Sequence, residues 1–334
     1  MTFEEIVEEI KSGMSGDAEK DIVYLQAKME EYKDHEMATE LLRACGRMFA
    51  EVIPEDKKEE LVRALKDDRS DIYVDLEKSR VYISTGKIED ALQISARLVK
   101  KADQNPMFAS DEVSEYYTFR EFFEEVLYIY YHRPSKRVRK AEYPFADIYL
   151  QHGSNLVENG QYVEAREVLE KARRWAPTNC NILFEYIETF KATGEMEEFA
   201  KYTREAFQYA FHVEHIARCY RNMGYYFIEK EEYPVALMCY ILSTQFEKSE
   251  VAQREIAFIN SKLKGQEVQL GDMKEIEGKV GLSTDTIRQN VEVAIAYGQH
   301  FLDQGEKDGA KYCYAIAYQM TGNAEIRKKL ESIE

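Results

Sequence analysis

The sequence predicts an all-α protein, a solenoid of stacked helix hairpins, and three observations carry that reading. Turn formers are scarce: the 334 residues hold 16 Gly and 6 Pro. A β-sandwich or barrel needs many more tight turns than that supply allows. Small residues recur at a long, constant spacing. Ala91, Ala165, Ala236 and Ala310 lie 74, 71 and 74 residues apart (165−91, 236−165, 310−236), and Ser79, Gly153, Gly224 and Gly298 each precede one of them by twelve. The composition, 45% apolar and 32% charged, supplies a core and long solvated helix faces.

Taken along the chain, the elements follow from turn signals and apolar periodicity. Residues 37–68 pair ATELLRACGRMFAEV with EDKKEELVRALKD, joined at Ile53-Pro54. TGKIED, NGQYVE, KEEYPV and QGEKDG are the turns before the four recurring alanines. Residues 110–132 read as one long helix without a partner, and 133–140 as a basic loop. Residues 181–213 form a hairpin that turns at ATG, and 249–282 hold the helix VAQREIAFINSKLK followed by a Gly-bearing loop. Pro54, Pro144 and Pro234 sit near helix starts, where a missing N–H costs little, and Pro177 follows a helix end. About eighteen helices are expected in all.

Small residues at this spacing let the two helices of a hairpin approach closely, Gly153 facing Ala165 for example, while Ala172 admits the next helix. Each hairpin leaves an apolar face that the next one covers, which is how a solenoid propagates. In this respect the sequence resembles the tetratricopeptide repeat family, which has small residues at its eighth, twentieth and twenty-seventh positions and Pro at its thirty-second. Segment 146–179 matches with Gly153, Tyr162, Ala165, Ala172 and Pro177. Segment 217–250 matches with Tyr220, Gly224, Phe227, Tyr233, Ala236 and Tyr240, and 291–322 with Gly298, Phe301, Ala310, Tyr314 and Ala317. Segment 72–105 is weaker but in register. The resemblance implies a right-handed α-α superhelix over 71–334, with degenerate repeats between the well-matched ones and a helical cap over 1–70.

The resemblance also implies a concave groove that binds a peptide or protein. Its helix A positions fall on Arg218, Arg221, Tyr225 and Ile228, with Asn222 adjacent. In 180–213 they fall on Asn181, Phe184, Glu188 and Lys191, and in 146–179 on Asp147, Leu150, Ser154 and Val157. The Lys and Asn with which some members clamp a C-terminal carboxylate are replaced here by Leu150 and Ser154, so a chaperone-tail ligand is not expected. Arg218, Arg221 and Asn222 remain able to hold an anion; equally, the two arginines can pair with acids on neighbouring helices.

Charge narrows the partners. Acids number 62 against 45 Lys plus Arg, a net charge of −17, which repels phosphate backbones overall. Against that background, Arg133, Lys136, Arg137, Arg139 and Lys140 form a local anion-binding candidate, or else a solubilising loop that pairs with acids of the same chain. The stretch 273–288 mimics a helix-turn-helix around Gly281, but Glu277 replaces its usual small residue and Ser283 serves equally well as a helix N-cap.

No catalytic or phosphate-binding constellation is present, and no cofactor or metal is expected. His212 and His215, three apart, are read as connector residues more readily than as ligands. The five cysteines, at 45, 180, 219, 239 and 313 without a CxxC, suit buried thiols in a reducing compartment. The acidic N-terminus MTFEEIVEEIKSG is unlike a secretory signal and no apolar run is long enough to span a membrane, so a cytoplasmic location is expected. A non-enzymatic interaction scaffold is the leading expectation. The alternative is a regulatory sensor that binds a signalling peptide and controls transcription; residues 1–70, with 19 acids and 11 bases, would leave DNA contact to a partner. An enzyme or metal protein ranks last. An uncovered inter-repeat face can also serve as a dimer surface.

Overall fold

Side-chain caps and left-handed glycines set the helix boundaries. Thr2 and Glu5 form a capping box on α1 (Phe3–Ser12), Asp17 caps α2 (Ala18–Glu31), and Asn179 caps α9 (Cys180–Thr193), which ends on left-handed Gly194. The computed structural model describes residues 2–35, 37–52, 71–105, 108, 110–264 and 273–333. Its contacts divide the chain into two compact units, Met1–Thr118 with Pro134–Glu158, and Phe119–Arg133 with Asn159–Glu334. The expected boundary at residue 70, the junction at Pro54 and the expected loop after Leu263 lie outside the described residues.

In the first unit, α1, α2 and α3 (Ala38–Val52) enclose Ile6, Ile10, Leu25, Leu41, Cys45 and Met48. The buried Asp21 carboxylate shapes the α1–α2 loop by accepting from the Ser15 N–H (2.6 Å), the Ser15 hydroxyl and the Gly16 N–H (3.0 Å). Helix α4 (71–84) and α5 (Ile88–Asp103) follow, joined through Gly86 at φ 76°. Helix α7 (Phe145–Glu158) packs against α5, and Asn155 sits in that contact, 1% exposed. Its Nδ2 donates to Ser79 Oγ (2.8 Å), Ser95 Oγ (2.9 Å) and the Ala91 carbonyl (3.2 Å). Three buried polar side chains are thereby satisfied together.

The expected helix over 110–132 is only half a helix. Ser114–Tyr117 is a strand, β1, and helix begins only at Phe122. Strand β1 pairs in parallel with β2 (Arg137–Lys140), Ser114 opposite Arg137. The second half of the basic stretch is therefore a strand and not a loop. The aromatic and polar run SEYY suits a pleated half-buried surface better than a helix, and helix periodicity alone missed it.

The second unit contains α6 (Phe122–His132) and the helices α8 (Tyr162–Trp175) to α17 (Ala324–Glu331), seventeen helices in the chain among the described residues. Hairpins pair α9 with α10 (Met196–Tyr209), α11 (Val213–Glu229) with α12 (Tyr233–Phe246), and α15 (Thr284–Asp303) with α16 (Lys307–Thr321). Helices α9, α11 and α13 (Glu250–Leu263) start 33 and 37 residues apart (213−180, 250−213). Pro234 lies in the first turn of α12, as expected.

The small residues inside the helices act somewhat differently from expectation. Ala236 and Ala310 are fully buried, but the groups that close on the glycines are aromatic rings one turn further on. A Cβ on Gly224 would stand 2.6 Å from the Tyr240 ring, and one on Gly298 would stand 2.9 Å from the Tyr314 ring. A missing side chain on one helix thus receives a large one from its partner. In the α4–α5 hairpin the same two places are taken by Ser79 and Ser95, with the Asn155 amide filling between them. Gly224→Ala is expected to lower stability by about 1–3 kcal/mol, read as a fall in the thermal midpoint, and Tyr240→Leu in the same chain should recover part of that loss.

Candidate functional site

Helices α9 and α11 stand side by side and bring together most of the groove residues expected from the sequence. The Arg218 guanidinium lies 4.4 Å from the Phe184 ring centroid and donates to Glu188 at 3.3 Å. Lys191 lies 3.9 Å from Glu188 and 4.5 Å from the Tyr225 ring centroid. Arg221 pairs with Glu247 at 2.7 Å. These arginines do engage acids on neighbouring elements, so an incoming anion would have to displace part-exposed pairs worth about 0–1 kcal/mol each. Two residues of the set point inward. Phe184 is fully buried, and Asn222 is 8% exposed and donates to Thr203 Oγ1 at 3.4 Å; neither can touch a ligand. Asn181 is exposed, and Leu150 and Ser154 are half-buried on α7 in the other unit.

Sequence reading missed a second assembly, the docking of α6 where α9 and α11 begin. Phe123 meets Phe211 edge-on (centroids 5.2 Å apart), and Phe122 meets Phe301 (5.4 Å). Tyr131 donates to Asn290 at 2.8 Å, and His132 Nε2 lies 2.9 Å from the Tyr209 hydroxyl. Arg133 ends the helix in the left-handed region, and Pro134 follows. The N-terminal end of α6 carries two carboxylates. Glu121 lies 2.7 Å from His212 Nε2 and accepts from the Tyr312 hydroxyl at 3.1 Å. Glu124, 4% exposed, accepts from Asn179 Nδ2 at 2.6 Å and from the Arg120 N–H at 2.8 Å, and its own carbonyl accepts from Thr178 Oγ1.

Their environments drive these groups apart. The hydrogen bond with His212 holds Glu121 below the usual carboxylate range and raises His212. Desolvation pushes Glu124 up to about 7. His215, half-buried against Phe184 and beside His212, is pushed down to about 4, chiefly by desolvation. His212 and His215 therefore help to seat a helix. Among the described residues no group of three or more His, Cys, Asp or Glu could hold a metal ion. All five cysteines are buried free thiols.

Helices α8 to α10 add a packed aromatic and cationic cluster that single-residue motifs do not reveal. The Arg166 guanidinium lies 3.9 Å from the Phe190 centroid; that of Arg173 lies 4.5 and 4.8 Å from the Tyr186 and Tyr202 centroids. A neighbouring cleft of about 520 Å³ is lined by His132, Glu167, Lys171, Arg174, Glu205 and Tyr209 among others, a mixture of both charge signs.

The basic stretch behaves otherwise. Arg139 Nε donates to Ser114 Oγ at 3.0 Å, yet none of Arg133, Lys136, Arg137, Arg139 and Lys140 forms an ion pair among the described residues. At 273–288, Ser283 is the N-cap of α15, and Glu277, within α14 (Met273–Val280), accepts from the Thr284 N–H at 3.1 Å. The twenty-residue α15 buries Asn290, Val291, Val293, Ala294 and Gly298 and forms a hairpin with α16. This is the N-cap arrangement weighed against the helix-turn-helix.

By its hairpins the chain is an all-α helical-repeat protein. No protein-family model matches its sequence, and no curated protein is significantly similar to it. Among solved structures it is similar to Pseudomonas aeruginosa pilF, with 13% identity over 80% of this chain and 99% of the other and a TM-score of 0.41. A tetratricopeptide repeat protein from Parabacteroides merdae ATCC 43184 gives 16% identity over 78% and 97% and a TM-score of 0.37. The Cut9–Hcn1 hetero-tetramer of APC/C gives 13% over 94% and 66% and a TM-score of 0.24. Among the described residues, no helix is long and apolar enough to cross a membrane.

The α6 seat should respond to pH. Glu124's folded pKa lies above its ordinary 4.5, at about 7, so the stability it contributes is complete below 4.5 and is lost as pH rises through 7. His215 acts oppositely: its folded pKa is depressed to about 4, so its contribution is present above 6.5 and lost as pH falls. Removing Glu124 separates the two. In denaturation at pH 5 and pH 8, Glu124→Gln should gain up to about 3 kcal/mol relative to the unmodified chain at the higher pH. A pH-independent difference would refute the assignment.

Proposed function

We propose that the chain is a non-enzymatic scaffold that binds a peptide or protein partner along the α9–α11 face. The observation that carries this reading is the row Glu188, Lys191, Arg218 and Tyr225. The row spans two neighbouring hairpins, and its charged and aromatic groups are each partly exposed and mutually held. Such a row suits a polypeptide, which offers charged and apolar side chains at regular spacing, better than a compact metabolite. Holding the row in place before the ligand arrives lowers the ordering cost of association. Arg221 and Asn181 flank the row and extend it. Neither a cofactor nor a catalytic residue belongs to this reading.

The experiment is affinity capture by the intact chain, followed by a quantitative binding measurement with the recovered partner. Lys191→Glu combined with Tyr225→Ala should weaken that binding at least about tenfold while leaving the circular dichroism spectrum unchanged. Undiminished binding by the double variant would remove this face from the reading.

A further inference from the structure

The two-stranded sheet has two unlike edges. On β1, the outward-facing backbone of Ser114 is already used. Its N–H donates to the Asp111 carboxylate at 2.8 Å, and its carbonyl accepts from the Asp111 N–H at 2.9 Å. On β2, Arg137 N–H donates to the Val113 carbonyl (2.8 Å) and Ala141 N–H to that of Tyr117 (2.7 Å). Parallel ladders use alternate residues at even spacing. Arg139 therefore also faces β1, and the backbone groups of Val138 and Lys140 face away from it. Among the described residues, no backbone hydrogen bond like those at Asp111 caps that outer edge.

Four-residue strands in a lone parallel pair are short of the length and strand number that usually make a sheet stable. A third strand would add backbone hydrogen bonds and cover the open edge. The side chains decide which strand can come. Arg137, Arg139 and Lys140 are exposed, and with Lys136 they form no ion pair among the described residues, in a chain of net charge −17. Elsewhere, arginines such as Arg166, Arg173 and Arg221 each hold a carboxylate. A second copy of β2 would bring cations against cations, so self-pairing is opposed. An acidic strand is attracted.

We infer that the outer edge of β2 binds an extended acidic peptide as a third strand. Backbone bonds to Val138 and Lys140 provide the pairing, and carboxylates beside Arg137, Arg139 and Lys140 provide the selectivity. A nucleic acid or anionic membrane would use the same charges but none of the backbone groups. It would also bring an extended negative surface up to an acidic protein. This edge lies in the first unit, apart in sequence from the α9–α11 row, and the inference does not depend on that row.

The test uses the full chain and a synthetic peptide of about twelve alternating Glu and Val residues, with a copy N-methylated at every second amide. The unmodified peptide should bind in fluorescence anisotropy and slow deuterium exchange at the Val138 and Lys140 amides. The methylated copy, of equal charge, should bind at least about tenfold more weakly. Arg137→Glu with Lys140→Glu should weaken binding by a similar factor. So should Val138→Pro, which removes only an outward donor and leaves the β1 ladder intact. Equal binding of both peptides, no protection at Val138 and Lys140, or undiminished binding by Val138→Pro would each overturn the inference. So would a duplex DNA oligomer or anionic vesicles displacing the peptide at lower concentration than unlabelled peptide does.

Discussion

In two hairpins, α11–α12 and α15–α16, one helix withdraws a side chain so that its partner can approach closely, and the packing of those hairpins depends on that withdrawal. At Gly224 and Gly298 the withdrawal is complete, and a tyrosine ring from the partner helix fills the room. The pairing of a small group with a large one fixes the depth of approach and the register together, because sliding by one turn would set the ring against a backbone carrying a Cβ. The α4–α5 hairpin solves the same problem with polar groups: Ser79, Ser95 and Asn155 fill the space and satisfy one another's hydrogen bonds. That solution is directional as well as steric. An apolar residue in place of Asn155 would remove the amide donor from both hydroxyls and leave them bonded only within the α4–α5 hairpin and to His152.

Helix α6 is held in the second unit by a different balance. Its rings supply apolar contact, but its N-terminal end places a carboxylate in the interior. Burial opposes the charged form of Glu124 while Asn179 and a backbone N–H support it. The outcome is a group near its titration point at neutral pH, beside a second carboxylate that a histidine keeps ionised. The seat is therefore specific in geometry yet modest in electrostatic gain, since a buried charge recovers its lost hydration only through well-placed partners.

Charge is distributed unevenly between these two parts. On α9 and α11 the cations are matched to Glu188 and Glu247, which limits any bare attraction for anions and leaves recognition to shape, rings and exchange of partners. On β2 the cations form no ion pair among the described residues. The same sequence class, basic residues in an acidic chain, thus has two physical roles, and only the pairing of each residue separates them.

The hairpins were legible in the sequence because the contacts that make them are local. Gly224 and Tyr240 are sixteen residues apart (240−224), and their spacing recurs at Gly298 and Tyr314. The adjacency of α9 and α11 followed from the repeat period, and with it the meeting of Lys191, Glu188, Arg218 and Tyr225. Periodicity did not reveal that Phe184 and Asn222 turn inward, because it gives a helix face only to within about a residue and burial depends on the neighbouring helix. The docking of α6 was hidden for a further reason. Its partners lie far along the chain: Glu121 meets His212 across 91 residues and Tyr312 across 191, and Tyr131 meets Asn290 across 159. Local pattern thus determined the helices and their hairpins. Tertiary structure alone decided which helix lies out of order, which carboxylate is buried and which cations stay unpaired, because those properties belong to pairs of residues that only folding brings together.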